Sequence, residues 1–143
     1  MEKYEILEHR ADLKIRIFGK TKKELFQNAL LGMSESMKAE IESPAEKVKR
    51  KVRIESFDLP SLLVDFLSEI LYLSQVNKEV YFEVKFKKFF VPLTSSRQAE
   101  IECELIGQKV ERFGKDIKAV TYHDLDIRQR KNKTWQATVL FDI

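Results

Sequence analysis

One cysteine, Cys103, in 143 residues excludes an internal disulfide and a zinc site built mainly of thiolates; a reducing compartment, the cytoplasm, is expected. Four glycines leave little bare backbone with which to cradle a nucleotide, and no Gly-rich phosphate loop, nucleophile elbow, Cys-x-x-Cys or His-Glu-x-x-His is present. An enzyme is therefore not expected. A net charge of +3, from 26 Lys plus Arg against 23 Asp plus Glu, is too small to argue nucleic-acid binding from global charge. No uninterrupted apolar run reaches the roughly 18 residues of a membrane span. The start, Met1-Glu2-Lys3-Tyr4-Glu5, is charged from its second residue. Neither export nor membrane insertion is expected. Repeats, linkers and low-complexity tracts are absent from the sequence.

What is there folds. Hydrophobic residues at 43% and charged residues at 34% describe a globular chain with a well-solvated exterior, and the length suits one domain over 1–143. Residues 4–9 and 13–18 read as strands, the second alternating Leu13, Ile15 and Ile17 with Lys14 and Arg16. Thr21 and Glu24 form a capping box, after which Leu25, Phe26, Ala29, Leu30, Met33 and Met37 recur at helical spacing. A strand from Val48 to Phe57 follows. A second helix opens at Pro60, capped by Asp58 or Ser61, with a wide stripe of Leu62, Leu63, Phe66, Leu67, Ile70, Leu71 and Leu73 that predicts the most buried element. Residues 80–90, 100–106, 117–127 and 134–141 carry strand composition, with Gly107 turning the chain and residues 128–133 forming a hairpin loop. The expected class is α+β: a two-layer sandwich with both helices on one face of a mostly antiparallel sheet of about seven strands.

Residues 141–143, Phe-Asp-Ile, place the Asp142 side chain and the main-chain carboxylate of Ile143 one residue apart. Two converging anions repel, and a hard divalent cation such as Ca²⁺ or Mg²⁺, which takes oxygen ligands, would relieve that repulsion. Asp12 is a candidate third carboxylate, since its loop joins two strands that could lie beside the terminal one. Against this stands the plain reading that a terminal Asp is solvated and that Asp12 bonds its own turn. His9 and His123, the two histidines, read as hydrogen-bonded structural residues before metal partners, and Trp135 as core packing before base stacking. Basic runs at 47–53, 85–88 and 128–133 could touch phosphates or be solvated strand faces and a hairpin tip. The helix face carrying Asp65 and Glu69 needs no explanation beyond solvation.

Four blocks together resemble the archease family: Tyr4-Glu-Ile-Leu-Glu-His-Arg-Ala-Asp12, Leu62-Leu-Val-Asp-Phe-Leu-Ser-Glu-Ile-Leu-Tyr-Leu73, Val110 followed by Lys118-Ala-Val-Thr-Tyr-His123, and Trp135 through Phe141-Asp142-Ile143. The resemblance implies a strand-helix-strand-strand module within a larger α/β domain. It also implies a divalent-metal site, calcium first and magnesium or manganese next, on Asp12, Asp142 and the carboxylate of Ile143. The implied role is non-enzymatic activation of an RtcB-type RNA ligase, promoting its guanylation by GTP and multiple turnover in tRNA splicing and RNA repair. Contact with tRNA, direct or through the ligase, would accompany it. The alternative is an RNA-binding or chaperone-like modulator of a tRNA-modifying enzyme such as a tRNA methyltransferase. Two positions depart from the family pattern: Arg10, where Thr is more usual, and Asp124, where Gly is frequent.

Overall fold

The computed structural model describes residues 2–8, 11–94 and 96–143. His9 and Arg10, singled out above, lie outside the described residues. In chain order the elements are β1 (Tyr4–Glu8), β2 (Asp12–Gly19), α1 (Lys22–Ser36), β3 (Ala39–Ile41), β4 (Lys47–Ser56), α2 (Leu59–Asn77), β5 (Glu79–Phe90), β6 (Ala99–Phe113), β7 (Ala119–Gln129) and β8 (Trp135–Asp142).

The α+β class holds, but the strands divide into two antiparallel sheets. One has the order β1-β2-β8-β7; in the other, β6 pairs with β3, β4 and β5. The eighth strand, β3, spans three residues, too few for an alternation to show. Lys109 settles where it lies: its amide donates to the Glu46 carbonyl and its carbonyl accepts from Glu42, so β3 and β4 run along one edge of β6. On the opposite edge the Val110 amide donates to the Lys78 carbonyl, where β5 begins. The segment β4-α2-β5-β6 is thus a strand-helix-strand-strand unit.

Local chemistry explains both helix starts. The Thr21 hydroxyl accepts from the Glu24 amide at 3.1 Å, while the Glu24 carboxylate reaches back to the Lys20 amide, one residue before the usual partner. At α2 the cap is Asp58, whose carboxylate accepts from the Ser61 amide at 2.9 Å, with Pro60 in the first turn where no amide donor is needed. Lys78 ends α2 in the left-handed region at φ 53°.

Both helices reach both sheets: α1 touches β1, β2 and β8 on one side and β5 on the other, and α2 touches β7 together with β4, β5 and β6. They enclose a continuous core in which Phe26, Phe66, Phe86 and Phe89 form a chain of tilted and edge-on rings 5.0–6.1 Å apart. With 19 residues, α2 is long and apolar enough by length and composition to cross a bilayer, which no uninterrupted run in the sequence suggested. Here its apolar stripe, Leu62 to Leu71, is buried in that core, as a central helix requires.

Gly107 does not turn the chain. It sits inside the 15-residue β6, opposite Tyr81, where the register of β5 shifts between Tyr81 and Glu83. A Cβ at this position would overlap the Val80 carbonyl oxygen and press on the Tyr81 ring at 2.8 Å. Glycine is required by close approach, not by a bend.

Candidate functional site

The expected cation ligands come from opposite ends of the chain. Asp12 opens β2 and Asp142 closes β8, and the antiparallel register makes them direct partners. That register follows from the core: Leu13, Ile15 and Ile17 stand opposite Phe141, Val139 and Ala137, and all six are buried. With the apolar rows matched, the two aspartates are left on the same opposite face. Directly opposed residues on one face have Cβ atoms about 4.5–5.5 Å apart, and like charges so placed repel. Asp12 is half-buried and Asp142 exposed, which strengthens the field at the first carboxylate more than at the second.

On its other side Asp142 faces Ala119, and its carbonyl accepts from the Lys118 amide at 2.7 Å, which ties down the strand end just before the half-buried Ile143. Among the described residues no group of three His, Cys, Asp or Glu side chains could hold a metal ion. In the expected set the third anion is the main-chain carboxylate of Ile143. Such a donor set, all hard oxygens at a water-accessible edge, suits Ca²⁺, Mg²⁺ or Mn²⁺ and not a thiolate-seeking ion.

The remaining sequence candidates disperse. His123 stands four residues beyond Ala119 on β7, about 13 Å at ordinary strand rise. It lies in a stretch where the β7–β8 register shifts between Thr121 and Asp126. Its side chain is 74% exposed, with Nε2 3.5 Å from the Asp124 carboxylate. Asp124 has φ 55°, a left-handed conformation that explains why glycine would be at home there and why Asp, tolerant of that region, replaces it. Cys103 is buried among apolar neighbours, and desolvation pushes its thiol up to about 12, so it is unsuited to thiolate chemistry. Asp65 is committed to structure, accepting from the Ser56 hydroxyl at 2.6 Å.

The sequence reading missed a buried charge cluster at the start of β5. Glu79 is 0% exposed, receives two hydrogen bonds from Arg50 (2.9 and 2.7 Å) and one from the Tyr81 hydroxyl (2.6 Å), and lies 3.1 Å from the Lys109 ammonium. Burial alone would raise its carboxyl; the hydrogen bonds from Arg50, Tyr81 and Lys109 outweigh it and hold the group at about 2. Desolvation pushes the Tyr81 phenol well above its ordinary value, so it remains a donor. A signal was available: along β4, Lys47, Lys49, Lys51 and Arg53 keep one phase, whereas Arg50 occupies the phase of Val48, Val52 and Ile54. A charge on the inward phase of a strand must have a buried partner.

Residues 4–143 match the Archease protein family (MTH1598/TM1083). The chain is 36% identical to the protein archease of Methanosarcina barkeri over 148 aligned residues, covering 99% of this chain and 97% of that one. It is 30% identical to that of Thermococcus kodakarensis, with 100% of both covered. Its fold matches the solution structure of protein 1598 of Methanobacterium thermoautotrophicum with a TM-score of 0.76 at 28% identity, over 100% of both chains. A Thermotoga maritima structure described as an archease, possible chaperone, matches in fold with a TM-score of 0.62 at 21% identity, over 96% of this chain and 94% of that one. Matches that run from β1 through the Asp142 strand end, in sequence and in fold alike, leave one conclusion: this chain belongs to the archease family.

Proposed function

We propose that this chain activates an RtcB-type RNA ligase without performing catalysis itself, using a divalent-cation site at the Asp12–Asp142 strand edge. The observation that supports the reading is the β2–β8 register, which sets the two aspartates side by side as direct strand partners. Asp12, Asp142 and the terminal carboxylate of Ile143 would hold the ion, calcium first, with magnesium and manganese as alternatives. When bound, the cation neutralises the paired carboxylates and makes the edge a fixed, polarising surface. The residues of this chain supply position: the buried rows on either side of the pair hold both aspartates at the ends of rigid strands. The work is placed in the cytoplasm, in tRNA splicing and RNA repair, where the ligase reacts with GTP to form its guanylate.

The decisive assay is ligase guanylation with and without this protein. Acceleration and sustained turnover are expected, reduced by Asp12→Ala and Asp142→Ala; an unchanged rate removes the activator reading.

The cation site has its own measurement. Ca²⁺ at about a hundred times its dissociation constant should stabilise the native state by about 2.7 kcal/mol, a rise in melting temperature of roughly 5–10 °C for a chain of this size. Asp142→Ala should abolish the rise, and so should residues appended after Ile143, which turn its carboxylate into an amide. Equal shifts in wild type and both variants would show that the ion binds elsewhere.

A further inference from the structure

The fold separates the three basic runs that look alike in the sequence. In the first, Arg50 is used up on buried Glu79, and Arg53 lies 2.7, 3.3 and 3.8 Å from Glu55, Glu100 and Glu102. In the second, Lys88 pairs with Glu100 at 2.8 Å. The register of β6 completes the pattern, placing Glu104 between Lys51 and Lys85 and Glu102 between Arg53 and Lys88. These two runs therefore flank an acidic strand, with Arg50, Arg53 and Lys88 paired to carboxylates and Lys51 and Lys85 facing Glu104.

The third run pairs Arg128 with Asp126 at 2.8 Å but otherwise differs. Its Lys133 lines a groove of about 680 Å³ together with Lys20, Lys22 and Lys23 from the start of α1, and the walls include Phe90 and Trp135 but no carboxylate among the described residues. None of these four lysines has an ion-pair partner among the described pairs. The hairpin tip is held in shape: the Arg130 amide donates to the Thr134 carbonyl, the Lys133 amide donates to the Arg130 carbonyl, and Gln129 donates to the Lys133 carbonyl. Lys133 is thereby fixed at φ 71° beside the groove. At the α1 start the Glu24 amide is already engaged by the Thr21 hydroxyl and the Lys20 amide by the Glu24 carboxylate, and the groove itself is lined by the lysine side chains.

The aromatic walls are partly exposed, and their faces carry cations. The Lys22 ammonium lies 5.1 Å from the Trp135 ring centre, and the Arg97 guanidinium 4.4 Å from that of Phe90. Trp135 packs against the core, as its strand position predicts, yet stays only half-buried with Lys22 over its ring. Lysines without acidic partners, set around flat rings inside a groove of nucleotide size, combine the two features that single-stranded nucleic acids require: backbone neutralisation and a stacking platform. An acidic peptide would use the lysines but not the rings.

We propose that the groove between the α1 start and the β7–β8 hairpin binds single-stranded nucleic acid, with Lys20, Lys22, Lys23 and Lys133 on phosphates and a base taking the place of the Lys22 ammonium over the Trp135 ring as that lysine swings to a phosphate. This site stands apart from the carboxylate edge, since Trp135 and Asp142 are opposite ends of β8, and it does not depend on the ligase reading.

Trp135 is the single tryptophan, so the intact chain reports on its own groove. Titration with an oligouridylate of about 10 nucleotides should quench its fluorescence saturably, and log affinity should fall with log salt with a slope of roughly −2 to −3, about −0.7 per phosphate contacted. Lys22→Glu with Lys133→Glu should weaken binding at least about tenfold and flatten that slope by roughly 1.4, while Lys49→Glu with Lys51→Glu on the outer sheet leaves binding within about twofold. Three results overturn the proposal: no saturable quenching at low salt, equal affinity and quenching with an oligoglutamate of matched charge, or equal sensitivity to both pairs of substitutions. Melting curves confirm that each variant is folded.

Discussion

Glu79→Ala is expected to destabilise the protein by about 2–4 kcal/mol, among the largest effects of the substitutions considered. The alanine removes the anion that Arg50, Lys109 and the Tyr81 hydroxyl share, leaving a fully buried phenol without its acceptor beside two cations that keep 39% and 30% of their side-chain surface in water. The loss comes from the buried Tyr81 hydroxyl left unpaired, the space vacated by the side chain and the ion pairs with Arg50 and Lys109, the last of these moderated by solvent at the two cations. Glu79→Gln keeps the volume and an acceptor for Tyr81 but loses the charge, so it should fall between the wild type and alanine. Urea unfolding of the three proteins tests the ranking; an alanine variant within about 1 kcal/mol of wild type would mean that water or rearranged side chains solvate Arg50 and Lys109.

The same residue predicts a pH dependence. Its carboxyl is held at about 2 in the native state against an ordinary value of 4.5. Between those values the unfolded chain binds the proton and the folded chain does not, so stability rises with pH across this window. The contribution is fully present above about pH 5 and is lost as pH falls toward 2, amounting to about 3 kcal/mol at most. Unfolding measured from pH 6 down to 2 should therefore show a steeper decline for wild type than for Glu79→Gln. Parallel curves would assign the acid sensitivity to other carboxylates.

Gly107→Ala should cost about 3 kcal/mol, the upper end of what overpacking usually costs. The added methyl meets backbone first, the Val80 oxygen, and then the Val80 carbonyl carbon and the buried Tyr81 ring at equal distance, neither of which is a flexible side-chain end that can swing aside. Relief requires β5 to withdraw from β6, which would disturb the Tyr81 hydroxyl and with it Glu79. The two sites should therefore couple. In a cycle of Gly107→Ala and Tyr81→Phe, a coupling energy of roughly 0.5 kcal/mol or more is expected from denaturant unfolding. A neutral Gly107→Ala would show that the strands separate at no cost.

How far the residues announced their structure depended on whether the signal was local. The capping box at Thr21 and Glu24, the cap and proline opening α2, the alternation of β2 and the stripe of α2 are all short-range patterns, and each forms where expected. The division into two sheets was not legible, because strand order depends on contacts between distant segments, and β3 is too short to carry a period. Gly107 misled for a related reason. Glycine at a turn and glycine beneath a crossing backbone look the same until the neighbouring strand is in place. Within the candidate cation site, the pairing of Asp12 with Asp142 was suggested by resemblance and by the run of charges at 142–143; the observed register is a separate fact arising from the packing of Leu13 through Ile17.

By itself the sequence determined the helices, most strands, the α+β class and membership of the archease family, since periodicity, caps and the order and spacing of motif blocks are written along one dimension. Only the tertiary structure decided that Glu79 lies between two cations, that two basic runs flank an acidic strand and that Lys133 of the third joins Lys20, Lys22 and Lys23 around a groove with aromatic walls. The physical reason is that charge acts through space. Which cation meets which carboxylate is settled by strand register, and register is chosen by the apolar rows that must match in the core.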